Sequence, residues 1–197
     1  MKKGTIITIV VIVVLGLIGY NFFAGSYNKM VEQREGINRQ WAQVETQYQR
    51  RADLIPNLVN TVKGYAEFEQ QTLTQVIEAR AKATSVNIDA SNLNTQSMAQ
   101  FQEAQGELNS VLSILLVTVE RYHDLKANQN FLELQAQLEG TENRIQVARD
   151  RYNETARTYN TFIKQFPKNM LAGMYGFEDY PYFTADQGAE QASEVSF

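Results

Sequence analysis

Cysteine is absent from this 197-residue chain, which excludes disulfides, zinc–thiolate sites, thiol nucleophiles and S-acylation. Histidine and tryptophan occur once each, at His123 and Trp41. A single histidine is a poor start for a catalytic triad or a histidine-based metal centre. The spacings of a P-loop, a dinucleotide-binding glycine fingerprint, an HExxH zinc site and an EF-hand are all missing. No basic stripe occurs either, so the chain lacks the electrostatic footprint of a nucleic-acid binder. Residues 169–197 hold Glu178, Asp179, Asp186, Glu190 and Glu194 and no lysine or arginine; against a net charge of −4, this leaves the remainder at +1. Proline occurs only at 56, 167 and 181, and helix breakers are scarce between the first two.

Charge is also missing between Gly4 and Tyr27, and there the chain turns from absence to content. Residues 6–23 (IITIVVIVVLGLIGYNFF) form one apolar block, with Lys2 and Lys3 before it and Lys29 as the first charge beyond. About 20 such residues in a helix rising 1.5 Å each cross a hydrocarbon core of roughly 30 Å. Ala24-Gly25-Ser26 would also suit a signal peptidase, but the block exceeds the usual 7–15-residue signal core. An uncleaved anchor over residues 1–26 is the expectation, with Ile6, Ile9, Val13, Gly16, Gly19 and Phe23 facing lipid or a neighbouring anchor. The terminal lysines favour a short inside tail and an outward-facing body.

Beyond the anchor the pattern is helical throughout. Ile37, Trp41, Val44, Tyr48, Ile55, Leu58, Val62 and Tyr65 recur in steps of three, four and seven, a near-heptad stripe of coiled-coil type. Pro56 falls within this stripe without shifting its phase, so a kinked but continuous helix ending near Gly64 is predicted. A shorter helix spans residues 66–83. Residues 84–94 form a polar loop, with Asn94 or Thr95 capping the next helix. That helix carries Met98, Phe101, Leu108, Leu112, Leu115 and Val119. The last begins at an Asn130 cap, carries Phe131, Leu138, Ile145, Tyr152, Tyr159 and Phe166, and closes at Pro167. No strand pattern competes.

The expected fold is all-α: a transmembrane helix followed by an elongated up-and-down antiparallel bundle of four, alternatively three, long helices over residues 27–166. An aromatic-rich extension covers 167–185 and an acidic disordered tail 186–197. Four helices would set Gly140 level with Pro56, a glycine facing a kinked backbone. Three would leave residues 27–83 as one rod.

Three ordered blocks then show a likeness. Residues 50–59 (RRADLIPNLV) with 62–66 (VKGYA) resemble the signature of the LemA family of bacterial single-pass membrane proteins. So do residues 138–145 (LEGTENRI), running on through Arg149, Tyr152-Asn153 and Tyr159-Asn160. The third block runs from Phe166-Pro167-Lys168-Asn169 through Gly176-Phe177 to Tyr182-Phe183. The likeness covers residues 27–185, and Tyr175 departs from it where a bulky apolar residue is expected. It implies a single N-terminal membrane helix and a helical bundle, implies no enzyme, and includes relatives associated with membrane remodelling and organelle formation.

Candidate sites are few. Arg51, Asp53, Asn57, Glu142, Asn143 and Arg144 form a candidate polar cluster, read as a buried hydrogen-bonded network fixing helix register before a ligand pocket. His123 beside Asp124 is read as complementing the end of a helix. Glu67 with Glu69, and Glu139 with Glu142, are read as solvated faces. Phe166, Tyr175, Phe177, Tyr182 and Phe183 are candidates for docking on a membrane or a neighbour, against a strap folded over its own bundle. No catalytic residue, cofactor or metal is expected. The functional expectation is a non-enzymatic scaffold at the bacterial inner membrane, in contact with lipid, forming a homo-oligomer and presenting its bundle on the extracytoplasmic side. The alternative is an adaptor recruiting a membrane protease or envelope-maintenance partner.

Overall fold

The computed structural model describes residues 3–64 and 70–184. Its first helix, α1, runs from Lys3 to Lys63 without interruption, 61 residues in all, or about 90 Å of rise. Residues 6–18 of the apolar block are exposed throughout, and this is the one helix among the described residues long and apolar enough to cross a membrane. Burial starts at once beyond it: Ser26 and Met30 are already covered, followed by Ile37, Trp41, Val44 and Tyr48. Anchor and core are therefore parts of one rod, with no linker between them.

Then follow α2 (Gln70–Ser85), a single 3-10 turn at Ala90–Asn92, α3 (Thr95–Val119), α4 (His123–Lys126), α5 (Gln129–Lys164) and α6 (Lys168–Tyr175). No strand occurs among the described residues. The all-helical expectation holds. Helix α5 packs along α1, and α2 along α3. Gly36 faces Thr155 and Arg51 pairs with Glu142, so α5 runs antiparallel to α1. Gln105 of α3 donates to the Ala83 carbonyl and Lys82 pairs with Glu107, which sets α2 against α3.

Pro56 sits inside α1. It has no N–H to give the Ala52 carbonyl, four residues back. That carbonyl instead accepts from Arg80 Nε of α2 at 2.7 Å. One side chain thus repairs the proline gap and holds α2 beside α1. Gly64 forms the turn after α1, as expected. Gly140 has nothing within 4 Å of where a Cβ would stand, so the steric argument placing it against Pro56 does not apply. Asn94 caps α3 in a capping box with Ser97. Asn128 caps α5, two residues before the expected Asn130, through a 3.1 Å bond from Phe131 N. Phe131 thereby starts the buried stripe. Helix α3 stops at Val119, and His123 opens the short α4 as an exposed residue. It opens a single helical turn four residues past the last residue of α3. Glu67, Glu69, Tyr65 and the tail from residue 186 lie outside the described residues.

Two apolar clusters make the core. One, nearer the anchor, surrounds Trp41 with Phe101, Tyr152, Tyr159 and Phe183. The other, farther out, gathers Ile55, Leu58, Val76, Leu112, Leu115 and Phe131. Each buried large side chain contributes about 1.5–3 kcal/mol before conformational entropy is set against it.

Candidate functional site

The boundary between the two clusters is polar. On α1 it falls between Tyr48 and Ile55, on α3 between Phe101 and Leu108, and on α5 between Leu138 and Ile145. Arg51 lies in that gap, 3% exposed. Its guanidinium donates to Glu142 Oε2 at 3.0 Å, to Gln105 Oε1 at 2.7 Å and to the Gln105 carbonyl at 3.3 Å. Its face rests on the Tyr48 ring, 5.0 Å from the centroid. Gln105 passes the chain on to the Ala83 carbonyl, while Thr141 returns its hydroxyl to the Gln137 carbonyl. One residue each from α1, α3 and α5, with a backbone oxygen of α2, closes the network. A buried guanidinium must be paired to be tolerated; both terminal nitrogens are paired here, while the buried Nε has no partner.

Of the cluster read from sequence, Arg51 and Glu142 meet. Asp53, Asn57, Asn143 and Arg144 are exposed. Asp53 accepts from its helix neighbour Gln49. The reason is angular: each helical residue turns about 100°, so a position two along points about 200° away. Gln105 was missed, and its signal is a glutamine on the α3 stripe between Phe101 and Leu108. Beside the network, a cleft of about 170 Å³ opens between Glu45, Ala52, Thr84, Val86 and Asn87. Burial raises the Glu45 carboxyl above its ordinary range; the Trp41 indole acts against this, and the negative charge of Asp89 adds to it. Among the described residues no group of three or more acidic or histidine side chains is placed to hold a metal ion.

The aromatic extension divides in two. Residues 177–184 fold over the α1–α5 seam. Asn153 donates to the Phe183 carbonyl and accepts from the Phe183 N–H, at 3.0 and 2.9 Å. Asn160 does the same with Tyr180, at 2.8 and 3.0 Å, and Tyr182 Oη also accepts from it. Tyr152 Oη donates to the Pro181 carbonyl. Two asparagines seven apart on a helix are about 10 Å apart, and three residues of extended chain span about the same. The repeated Tyr-Asn pair is thus a two-point clamp on the strap. Phe183 seals it, stacked on Trp41 and edge-on to Tyr152. Burial pushes the Tyr159 phenol up to about 12, with Tyr180 adding to the shift and Arg34 opposing it. Tyr152 is pushed up further still, by burial first. Phe177 is buried as well, while Phe166 and Tyr175 are exposed and Tyr182 is partly so. Gly176, at φ 70°, ends α6 in the left-handed conformation that glycine adopts without steric cost, and so turns the chain into the strap.

At the other end of α1, Ile6, Ile9, Val13 and Phe23 are exposed, and Gly16 and Gly19 face open space. An apolar crossing helix that continues unbroken into an all-helical body fits a single-pass membrane protein. The chain belongs to the LemA family, whose sequence profile matches residues 40–197. It is 22% identical to Protein LemA of Metamycoplasma hominis over 168 residues, covering 85% of this chain and 73% of that protein. It is also 25% identical to Magnetosome protein MamQ 2 of Paramagnetospirillum magneticum, covering 93% and 74% of the two chains. Magnetosome protein MamQ of Magnetospirillum gryphiswaldense is similar at 24%, with the same coverage. None of these relatives bears an enzyme's name.

Proposed function

We propose that this protein is a non-enzymatic, membrane-anchored helical scaffold that self-associates at the bacterial inner membrane, where it organises the envelope or shapes the bilayer. The observation that carries this reading is the unbroken α1. A tethered enzyme profits from a flexible linker that lets its site reach substrate. A helix passing straight from bilayer to core instead fixes the body rigidly to its own anchor, which lateral order between copies requires. Arg51 and Gln105 are occupied with one another and with Glu142, and Asn153 and Asn160 with strap attachment, in keeping with a structural role. Relatives named for the magnetosome support a task tied to a membrane. The bundle faces the extracytoplasmic side, after the lysines at the amino terminus.

A second reading has its own observation. Ile77, Ile114, Val117 and Leu132 are exposed on the half of the body farthest from the anchor, where an adaptor would engage a membrane protease or another envelope partner. Electron microscopy of the full-length protein extracted in mild detergent separates the two. A large symmetric particle supports the scaffold. A monomer or dimer refutes it and favours the adaptor.

A further inference from the structure

Helix α6 carries an apolar stripe that its own bundle does not use. Met170 and Met174 stand one helical turn apart, 62% and 75% exposed, and Phe166, in the turn just before the helix, is 82% exposed, while Leu171 and Ala172 are buried. The helix lies beside the anchor, through Leu171 and Tyr175. The Tyr175 ring meets Tyr27 with centroids 5.0 Å apart, and a cavity of about 310 Å³ separates α6 from α1, lined by Tyr20, Phe23, Ala24, Tyr27, Leu171 and Tyr175. Tyr20 and Phe23 belong to the apolar block itself, and Tyr27 stands only about 6 Å further along the helix. Residues 169–177 contain no charge. Lys168, at the start of α6, lays its ammonium 3.9 Å from the centre of the Phe162 ring and donates to Gln165. Methionine and aromatic side chains with a lysine at the edge suit the boundary between headgroups and acyl chains.

We propose that α6 is a second membrane contact, in which Phe166, Met170 and Met174 enter the interface of the same bilayer that α1 crosses. The occupant is lipid because α6 sits against α1 at residues 20–27, where α1 leaves the hydrocarbon, and holds Met170 and Met174 out at that level. Two contacts fix rotation about α1 as well as tilt, which a single crossing helix cannot do. The inference rests on α1 being membrane-embedded, and the test keeps the two claims apart.

Because the native chain has no cysteine, a nitroxide can be placed at one position at a time. The full-length variants Met170→Cys, Met174→Cys, Leu15→Cys and Val117→Cys are labelled and reconstituted into phosphatidylcholine–phosphatidylglycerol vesicles. Collision rates are then measured with oxygen, which concentrates in hydrocarbon, and with a water-soluble nickel chelate. All four side chains are exposed, so none of the substitutions disturbs the core. The expected result is a ratio favouring oxygen at 15, 170 and 174 and favouring nickel at 117. Nickel-favoured ratios at 170 and 174 with oxygen favoured at 15 overturn the α6 contact and leave the anchor standing. Nickel favoured at 15 overturns both. Dipolar broadening at 174 that disappears on dilution with unlabelled protein assigns the stripe to a second copy and overturns the lipid contact.

Discussion

The repair of the proline gap by Arg80 makes a coupling that can be measured. Ala52 is 3% exposed with Arg80 in place, and the methionine of an Arg80→Met variant keeps much of that cover over its carbonyl. Arg80→Met keeps most of the aliphatic stem but leaves that oxygen without a donor, because Pro56 has no N–H. Stranding a buried acceptor costs about 1–3 kcal/mol, and about 2 kcal/mol is expected for this half-buried, charge-assisted bond. Pro56→Ala alone restores the helical N–H and removes the ring's crowding, so it stabilises the protein by about 1–3 kcal/mol. In the Pro56→Ala background the Ala52 oxygen already has a partner. Arg80→Met should then cost less than about 1 kcal/mol, mostly for lost packing.

The double-mutant cycle cancels the packing loss common to both backgrounds and leaves a coupling of about 1–2 kcal/mol. Trp41, the single tryptophan, reports unfolding of the bundle while the anchor stays in a detergent micelle. Denaturant midpoints of the four proteins supply the numbers. Equal Arg80→Met costs in the two backgrounds, within about 0.5 kcal/mol, would show that the arginine does not serve the proline.

Four further outcomes are expected. Arg51→Met should cost about 2 kcal/mol, because it strands the buried Gln105 oxygen that accepts from the guanidinium, and Glu142→Gln, which keeps an acceptor on a side chain 36% exposed, less than about 1; the reverse order in denaturant midpoints refutes the network. The raised Glu45 carboxyl means the folded state holds its proton more tightly than the unfolded chain. Its contribution is therefore complete below the ordinary carboxylate range and is lost as pH climbs through the folded value. Glu45→Gln should flatten that slope and raise neutral-pH stability, and an unchanged pH profile counts against it. Phe183→Ala should cost about 3 kcal/mol, lower the melting midpoint by roughly 6–12 °C and shift Trp41 emission to the red; unaltered emission would mean the strap does not cover that ring. Finally, Val147→Cys, on an exposed face of α5, should react with a membrane-impermeant maleimide in intact cells. Labelling only after lysis would put the body on the cytoplasmic side.

What the sequence discloses follows what repeats. Helices announce themselves because burial on one face imposes a 3.6-residue period, so the runs through Trp41, Phe101 and Tyr152 place α1, α3 and α5 within a few residues. Pro56 could be read as internal because the phase on either side agreed. Arg51 was visible as a charge on an apolar stripe, and Glu142 as its level partner. The remainder of that cluster was not visible as surface, since a list of polar residues near one height ignores the angle each occupies around its helix. Gln105 was hidden for the opposite reason: glutamine is common on exposed faces, and only its place in the stripe marks it.

The strap lies beyond the reach of periodicity altogether. An extended segment has no phase to share with the helix beneath it, and its hold on Asn153 and Asn160 is through backbone atoms that every residue possesses. The legible half is the Tyr-Asn pair repeated after seven residues, because an amide that answers both the N–H and the C=O of one residue needs a matching amide two helical turns on. Tyr152 and Tyr159 fill the core while the asparagine beside each reaches the seam. The strap then climbs from Phe177, beside Tyr27, to Phe183, on Trp41. It ties the membrane end of α1 to the middle of the first cluster and closes the surface that α1 and α5 leave open. The chain leaves the bilayer end as a rigid helix and returns to it as α6. The faces of the body are therefore held at a set angle to the anchor helix, without a flexible joint to average that angle away.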